Sequence, residues 1–178
     1  MAEETKDGIV DEELEEEFSE DTQKGRFMTF QIGKEYYGIS ISYVNEIIVM
    51  QPITTIPEVK DYIKGLINLR GKIVPVIDVR MRFDMEPTEY NDRTCIIVLS
   101  VDSMTIGLIV EQIAEVNTIM EEDISLPPSL GKKDRERNKF VYGLARTEGT
   151  VKLLIDPQKL IQDEELETFE RRYEKEEQ

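Results

Sequence analysis

The sequence has no histidine, no tryptophan and only one cysteine. Without histidine there is no imidazole for acid–base catalysis, for a Ser-His-Asp triad or for a histidine-ligated metal. The single cysteine, Cys95, cannot form a disulfide within the chain or a cysteine-rich zinc site. These absences exclude several enzyme classes, and we expect neither a metal nor a cofactor.

Long apolar runs and nucleotide-binding motifs are also missing. No run approaches the roughly 18 apolar residues that a membrane span needs, and the acidic N-terminus has no signal-peptide hydrophobic region. We therefore expect a cytoplasmic protein without direct membrane insertion. Neither glycine-rich phosphate-binding motif nor a nucleophile elbow occurs, so a non-catalytic binding module is the simplest prediction.

The negative charge is concentrated at the two ends of the chain. Of the formal net charge of -16, residues 1–26 carry -8 (eleven acids, three bases) and residues 163–178 carry -5 (eight acids, three bases). Segment 1–26 has too little apolar surface to offset its ordering entropy, so we predict a disordered acidic tail. The body, 27–162, carries -3 and has no basic face with interleaved aromatics, which disfavours nucleic-acid binding.

The body consists of short apolar and β-branched runs separated by turn residues, which predicts antiparallel hairpins in a mainly β sandwich or barrel. Pro75 lies inside one run and indicates an edge strand or a bulge there. The predicted hairpins pair Phe27–Ile32 with Glu35–Ile41, Gly65–Leu69 with Ile73–Ile77, Cys95–Val101 with Thr105–Val110, and Val141–Ala145 with Val151–Ile155.

An internal duplication divides the body. The stretch from Gly38 to Ile47 recurs 69 residues later, and the stretch from Tyr62 to Asp78 recurs 78 residues later. We therefore predict two related lobes, about 27–90 and 93–162. Because units of this size bury little core alone, the lobes should share an apolar interface.

Helix is predicted only in short pieces and at the C-terminus. Asp78 and Asp156 are equivalent in the duplication, and each ends a strand in a position to cap a helix. Pro157 follows Asp156 in the order typical of a helix start. Apolar residues then recur at helical spacing, which predicts a terminal helix over 157–175 leading into the acidic tail 163–178.

The most distinctive stretch is a hairpin with a cation at its turn. It runs Gly65-Leu-Ile-Asn-Leu-Arg-Gly-Lys-Ile-Val-Pro-Val-Ile-Asp-Val-Arg80, so that Arg70 stands at the turn. The second copy has Glu148 at the equivalent position. An arginine on a rigid hairpin can present a planar fork of donors to a carboxylate or carbonyl group, or it can simply keep the turn soluble.

This stretch, with Phe27–Ile41 before it and Thr105–Met120 after it, strongly resembles the CheW family of bacterial chemotaxis coupling proteins. The resemblance covers about 27–162 and implies two packed SH3-like five-stranded barrels. It also implies a non-catalytic adaptor that binds the cytoplasmic tip of methyl-accepting chemoreceptors and the regulatory domain of the histidine kinase CheA. Such a protein would be recruited to membrane-associated receptor arrays, and we expect the isolated chain to be a monomer.

The resemblance also implies two sets of contact residues. The receptor-binding set is expected in the groove between the barrels, and the kinase-binding set on the second lobe near 104–117. Ile41 and Val44 would offer apolar surface, while Gly65 would permit close backbone approach. The receptor-binding residues are Ile41, Val44, Glu46, Lys64, Gly65 and Arg70. The kinase-binding residues are Ile106, Leu108, Val110 and Ile113.

Three alternatives stay open at this point. The chain could be a CheW-like regulatory module detached from a CheA or CheV protein, which a neighbouring open reading frame would reveal. It could be a small enzyme that uses Asp78, Asp156 or Glu115, for which shifted carboxylate pKa values in one concave pocket would be evidence. It could also be an OB-like nucleic-acid binder, although its charge speaks against this.

Overall fold

A computed structural model of the chain describes residues 24–127, 139–164 and 166–168. The predicted tail 1–26 therefore lies outside the described residues except for Lys24–Arg26, and so does most of the tail 163–178. The ten strands in the described part of the chain are β1 Arg26–Ile32, β2 Glu35–Ser40, β3 Val44–Val49, β4 Ile63–Leu69, β5 Lys72–Asp78, β6 Cys95–Val101, β7 Met104–Val110, β8 Gln112–Thr118, β9 Val141–Thr147 and β10 Thr150–Ile155.

The strands form two five-stranded sheets. Sheet one has the order β8-β1-β2-β10-β9, and sheet two has the order β3-β6-β7-β5-β4. All four predicted hairpins are present as antiparallel pairs. Their arrangement in two packed five-stranded sheets confirms the mainly β prediction and is consistent with two SH3-like barrels.

Two strands were not predicted. β3 and β8 are equivalent in the duplication, and side-chain exposure alternates along both. Polar residues such as Asn45 and Glu46 interrupt the apolar run of β3, which hides the period of two.

Both sheets draw strands from both copies of the duplication, so they do not follow the predicted contiguous lobes 27–90 and 93–162. In each sheet the first hairpin of one copy joins the last three strands of the other copy. The junctions are two parallel pairs, β2 with β10 and β5 with β7, in which Gly38 faces Leu154 and Gly107 faces Val76. A sequence repeat identifies equivalent residues in the two copies. It does not show whether a hairpin pairs within its own copy or with the other copy, because both arrangements would bring equivalent residues into contact.

Glycine permits close packing at both junctions. A Cβ atom on Gly38 would lie 2.9 Å from Leu154 Cδ2, and one on Gly107 would lie 2.7 Å from Val76 Cγ1. Glycine therefore lets β2 approach β10, and β7 approach β5, without displacing the side chains opposite.

The largest apolar cluster lies between the sheets, as the predicted shared interface requires. It combines β1 and β2 of sheet one with β6 and β7 of sheet two. Four aromatic rings lie at its centre. The centroid of the Tyr37 ring is 6.0 Å from that of Phe30 and 5.0 Å from that of Phe83, and the Phe83 and Phe140 centroids are 5.7 Å apart. Each sheet also encloses a smaller cluster of its own.

The helix after Asp78 is short, as predicted, and the helix after Asp156 is shorter than predicted. Asp78 caps α1 (Val79–Arg82) by accepting from Met81 N, and Asp156 caps α2 (Pro157–Leu160) by accepting from Gln158 N, which confirms both predicted caps. However, α2 ends after one turn, so the prediction of one continuous helix from residue 157 is wrong, and residues beyond 168 lie outside the described part. No helix among the described residues is long and apolar enough to cross a membrane.

Pro75 lies on an interior strand and not at an edge. The ladder between β5 and β7 covers only Val76–Asp78, so Pro75 stands just before it. Its missing N–H therefore costs no bond in that ladder.

Candidate functional site

The turn between β4 and β5 consists of Arg70 and Gly71. Their φ angles are 52° and 84°, as a two-residue hairpin turn with a right-handed twist requires. A Cβ atom on Gly71 would meet no atom of the described residues within 4 Å, so glycine is needed here for its backbone freedom and not for space. The turn projects Arg70 from the end of sheet two with 70 % of its side chain exposed.

Arg70 forms an ion pair with Glu46. Its Nη2 donates to Glu46 Oε1 on β3, and this contact raises the pKa of Arg70 above its ordinary value, first through the hydrogen bond and then through the opposite charge. β3 and β4 are the two edge strands of sheet two. The pair therefore links opposite edges of one sheet at the end where the turn projects.

Ile41 and Val44 lie shortly before Glu46 in the sequence. A one-turn 3-10 helix, Ile41–Tyr43, joins β2 to β3, and its first residue follows Ser40, which accepts from Ser42 N. Both apolar side chains are half-buried against the cluster between the sheets. They therefore offer partly accessible apolar surface that leads along β3 to Glu46.

Lys64 and Gly65, the other predicted receptor contacts, have intramolecular neighbours. Lys64 Nζ lies 3.8 Å from the sulfur of Met81. A Cβ atom on Gly65 would lie 2.1 Å from the carbonyl oxygen of Thr54, and Thr54 exchanges two backbone hydrogen bonds with Leu66. Gly65 does permit close backbone approach, but the approaching backbone belongs to this chain.

Three of the four predicted kinase contacts are not accessible. Ile106, Leu108 and Val110 are fully buried between the sheets, and only Ile113 is half-buried. The correction has a simple cause. β7 lies in the middle of sheet two, and one of its faces packs against sheet one, so its apolar residues serve the core.

Five of the exposed apolar residues that the sequence reasoning missed lie on β3, β8, β9 and β10. Ile47 and Val49 follow Glu46 on β3 and lie on the opposite face of the strand, and Val49 is 74 % exposed. Val116, Tyr142 and Val151 are exposed on sheet one. The alternating exposure of β3 and β8 places Ile47, Val49 and Val116 at the surface, and in β3 Asn45 and Glu46 hide this alternation in the sequence.

The carboxylates considered as catalytic have structural partners. Asp78 is buried and accepts from Met81 N and, at 2.7 Å, from Tyr90 Oη. It borders a cavity of about 270 Å³ in which Arg80 Nη1 lies 2.9 Å from Glu111 Oε1. Among the described residues, no three carboxylate, histidine or cysteine groups are placed to hold a metal ion.

Cys95 is half-buried at the start of β6. Burial raises the pKa of its thiol above the ordinary value, and a backbone hydrogen bond from Ile113 opposes this only in part. A raised pKa reduces the fraction of reactive thiolate. This agrees with a packing role for the residue.

The chain was compared with known protein families and structures. A family model described as CheW-like domain matches residues 26–165. The chemotaxis protein CheW of Klebsiella aerogenes is 34% identical over 140 residues, which are 79% of this chain and 83% of that protein. The chemotaxis protein CheW of Treponema pallidum is 31% identical over 150 residues, which are 80% of this chain and 85% of that protein. The crystal structure of the scaffolding protein TtCheW from Thermoanaerobacter tengcongensis is similar with a TM-score of 0.71 and 34% identity, and it covers 79% of this chain and 94% of that one.

Proposed function

Because this chain belongs to the CheW family of chemotaxis adaptor proteins, we propose that it couples methyl-accepting chemoreceptors to the histidine kinase CheA without catalysing a reaction. In this role it acts in the cytoplasm at receptor arrays. The proposal requires two separate binding surfaces on one rigid body, and the two packed sheets provide such a body.

The ion pair of Arg70 and Glu46 is the observation that carries the receptor-binding part of the proposal. It holds a guanidinium group at an exposed hairpin tip, where donors that Glu46 does not use can face a partner. A charged anchor beside partly accessible aliphatic residues is typical of a binding surface and not of a core.

The predicted receptor contacts take different roles in this proposal. Ile41 and Val44 supply apolar surface for a helical receptor tip. Glu46 orients Arg70, and Lys64 contributes positive charge at the rim of the surface. Gly65 acts indirectly, since its lack of a side chain lets the Thr54 segment pack against β4.

For the kinase we propose sheet one, because the β7 residues predicted earlier are buried. Val116, Tyr142 and Val151 are exposed there, and Glu148 gives the turn between β9 and β10 a charge opposite to that of Arg70. Two partners can then be distinguished by charge as well as by shape.

Arg70→Ala tests the proposal against a matched control, Glu148→Ala, at the equivalent turn. Each variant is mixed with a soluble receptor tip and CheA, and co-sedimentation and kinase autophosphorylation are measured. We expect Arg70→Ala to weaken receptor binding by at least about tenfold, as truncation of an interface arginine commonly does. We expect Glu148→Ala to keep receptor binding. Wild-type binding and kinase activation by Arg70→Ala would contradict the proposal.

A further inference from the structure

The turn that carries Arg70 is braced by a side chain that the proposed function does not yet use. The backbone N–H of Gly71 donates a hydrogen bond of 2.8 Å to Asn68 Oδ1. Asn68 lies two positions before Arg70 and Gly71 one position after it, so the bond encloses the arginine. Asparagine side chains stabilise turns by accepting from a nearby backbone N–H in this way.

A second contact holds the other side of the same hairpin. Lys72 directly follows the turn, and its Nζ lies 2.8 Å from Thr105 Oγ1 on the neighbouring strand β7. The Asn68 bond holds the backbone of the turn itself, and the Lys72 bond ties the side chain after the turn to β7.

The duplication supplies an internal control for the role of these contacts. The turn between β9 and β10 has the same length, and its residues Glu148 and Gly149 have φ angles of 50° and 77°. Arg146 stands at the position of Asn68, and an arginine side chain has no acceptor to offer. This turn shape therefore forms without an asparagine, so folding of the hairpin does not explain Asn68.

The ion pair across the sheet end gives a better explanation. The backbone of Arg70 has a left-handed conformation. Its side chain must point in one particular direction for the guanidinium to reach Glu46 on β3. In the second copy the equivalent residues are Glu148 and Glu115, which cannot attract each other. The hydrogen bond from Gly71 N–H to Asn68 is thus found at the turn whose side chain, Arg70, has to reach a specific partner.

We propose that Asn68 is a positioning residue for Arg70. By accepting from the Gly71 N–H, it fixes the direction in which the guanidinium leaves the turn and holds it on Glu46 before a partner arrives. A pre-oriented side chain loses less conformational entropy on binding, which strengthens the complex without adding a contact. That the partner is a chemoreceptor rests on the proposed function. That Asn68 positions Arg70 does not.

The first test needs no partner. The order parameter of the Arg70 Nε–H group is measured by ¹⁵N relaxation in wild type, Asn68→Ala, Asn68→Asp and Arg146→Ala. We expect Asn68→Ala to make this group more mobile. Asn68→Asp keeps an acceptor oxygen and should restore the wild-type value, and Arg146→Ala should not change it. An unchanged Arg70 group in Asn68→Ala would overturn the inference, and Asn68→Leu replaces that variant if it does not fold.

The second test measures binding to the soluble receptor tip in a double-mutant cycle. We expect Asn68→Ala alone to weaken binding by about two- to tenfold and to have no further effect in the Arg70→Ala background. An equal loss in both backgrounds would mean that Asn68 acts independently of Arg70, which contradicts the inference. If Arg70→Ala itself leaves binding unchanged, the proposed function fails, while the relaxation measurement still decides the role of Asn68.

Discussion

The two sheets descend from one repeated unit, yet they enclose different interiors. Sheet two encloses six buried aliphatic residues, and four more pack on them. Sheet one encloses Phe27, Ile119, Ala145 and Leu154, with Ile124 packed on them. Where sheet two has Val74, sheet one has the buried Lys152, whose side chain is only 4 % exposed.

The polar interior of sheet one is incompletely paired. Lys152 Nζ lies 3.9 Å from Glu115 Oε1 and 4.4 Å from the centre of the Tyr36 ring. Asn117 Oδ1 and Thr147 Oγ1 are buried and have no hydrogen-bond partner within the described part of the chain. Their equivalents in sheet two, Ile48 and Leu69, pack against its apolar cluster. Buried polar groups with weak or missing partners reduce stability.

The comparison teaches that the duplicated unit kept its backbone and divided its tasks. The caps, the turn glycines and the glycines at the parallel junctions recur in both sheets. The interior and the charge of the projecting turn differ. Sheet two combines an apolar interior with an exposed ion pair at its projecting turn, Arg70 with Glu46, whereas sheet one encloses the charged Lys152.

The largest expected effect comes from the pair of variants Gly65→Ala and Gly143→Ala. Gly65 has φ of 142°, and a Cβ atom there would meet backbone at 2.1 Å, whereas a Cβ atom on Gly143 would meet Ile124 Cγ2 at 2.5 Å. Backbone cannot move aside as easily as the end of a side chain. We therefore expect Gly65→Ala to lower the free energy of unfolding by about 3 kcal/mol or more and Gly143→Ala by about 1–2 kcal/mol.

Urea unfolding followed by circular dichroism measures both values. Gly149→Ala is a suitable further control, because φ is 77° there but none of the atoms that the structure describes lies within 4 Å of the added Cβ. It separates the cost of the backbone conformation from the cost of the clash. Equal losses for Gly65→Ala and Gly143→Ala would show that the Thr54 segment does not restrict sheet two more than its counterpart restricts sheet one.

Much of this fold could be predicted because it depends on local signals. Turn residues and runs of β-branched residues indicated all four hairpins, and equivalent aspartates indicated both helix caps. The exchange of hairpins between the sheets depends on contacts between distant residues, such as those of Gly107 with Val76 and Gly38 with Leu154. No local signal distinguishes these contacts from the same contacts made within one copy.

The site could be predicted only where a residue type has few structural uses. A cation at a hairpin tip stands out, and Arg70 is indeed exposed there. Apolar residues do not stand out in this way, because the same Ile or Leu serves a core or a surface. Ile106 and Leu108 were therefore assigned to an interface although both are fully buried. The internal contacts of Gly65 and Glu46 depend on how the sheet curves, and spacing along the chain does not reveal this.

A middle-sized effect is expected from Lys152→Met, which makes sheet one resemble sheet two. The variant removes a buried charge whose nearest carboxylate oxygen is 3.9 Å away and keeps most of the side-chain volume. Replacing a buried, poorly paired charge by an apolar group is often neutral or stabilising. We expect the free energy of unfolding to rise by up to about 2 kcal/mol, as measured by urea unfolding.

The reverse exchange, Val74→Lys, is the matched control for Lys152→Met. Val74 is fully buried in the apolar interior of sheet two, so a lysine there should destabilise strongly. A clear loss of stability in Lys152→Met would show instead that the ion pair with Glu115 and the contact with Tyr36 outweigh the burial of the charge.

The smallest expected effect concerns the two equivalent helix caps, Asp78 and Asp156. Asp78 accepts an additional side-chain hydrogen bond. Tyr90 Oη donates to Asp78 Oδ2 at 2.7 Å, and the pKa of Tyr90 is raised, first by burial and then by this hydrogen bond. A raised folded-state pKa means that the stabilisation is complete below the ordinary tyrosine pKa of about 10 and is lost as pH rises through the folded-state value.

We therefore expect Tyr90→Phe to be less stable than wild type at pH 8 by less than about 1 kcal/mol, because Tyr90 is 40% exposed and solvent weakens the contact. The difference should shrink as pH rises above about 10. Urea unfolding at several pH values measures it, and the raised pKa of Tyr142 acts equally in both proteins and cancels. A difference that stays constant from pH 8 to beyond pH 10 would show that the Tyr90 hydroxyl does not stabilise the cap through its bond to Asp78.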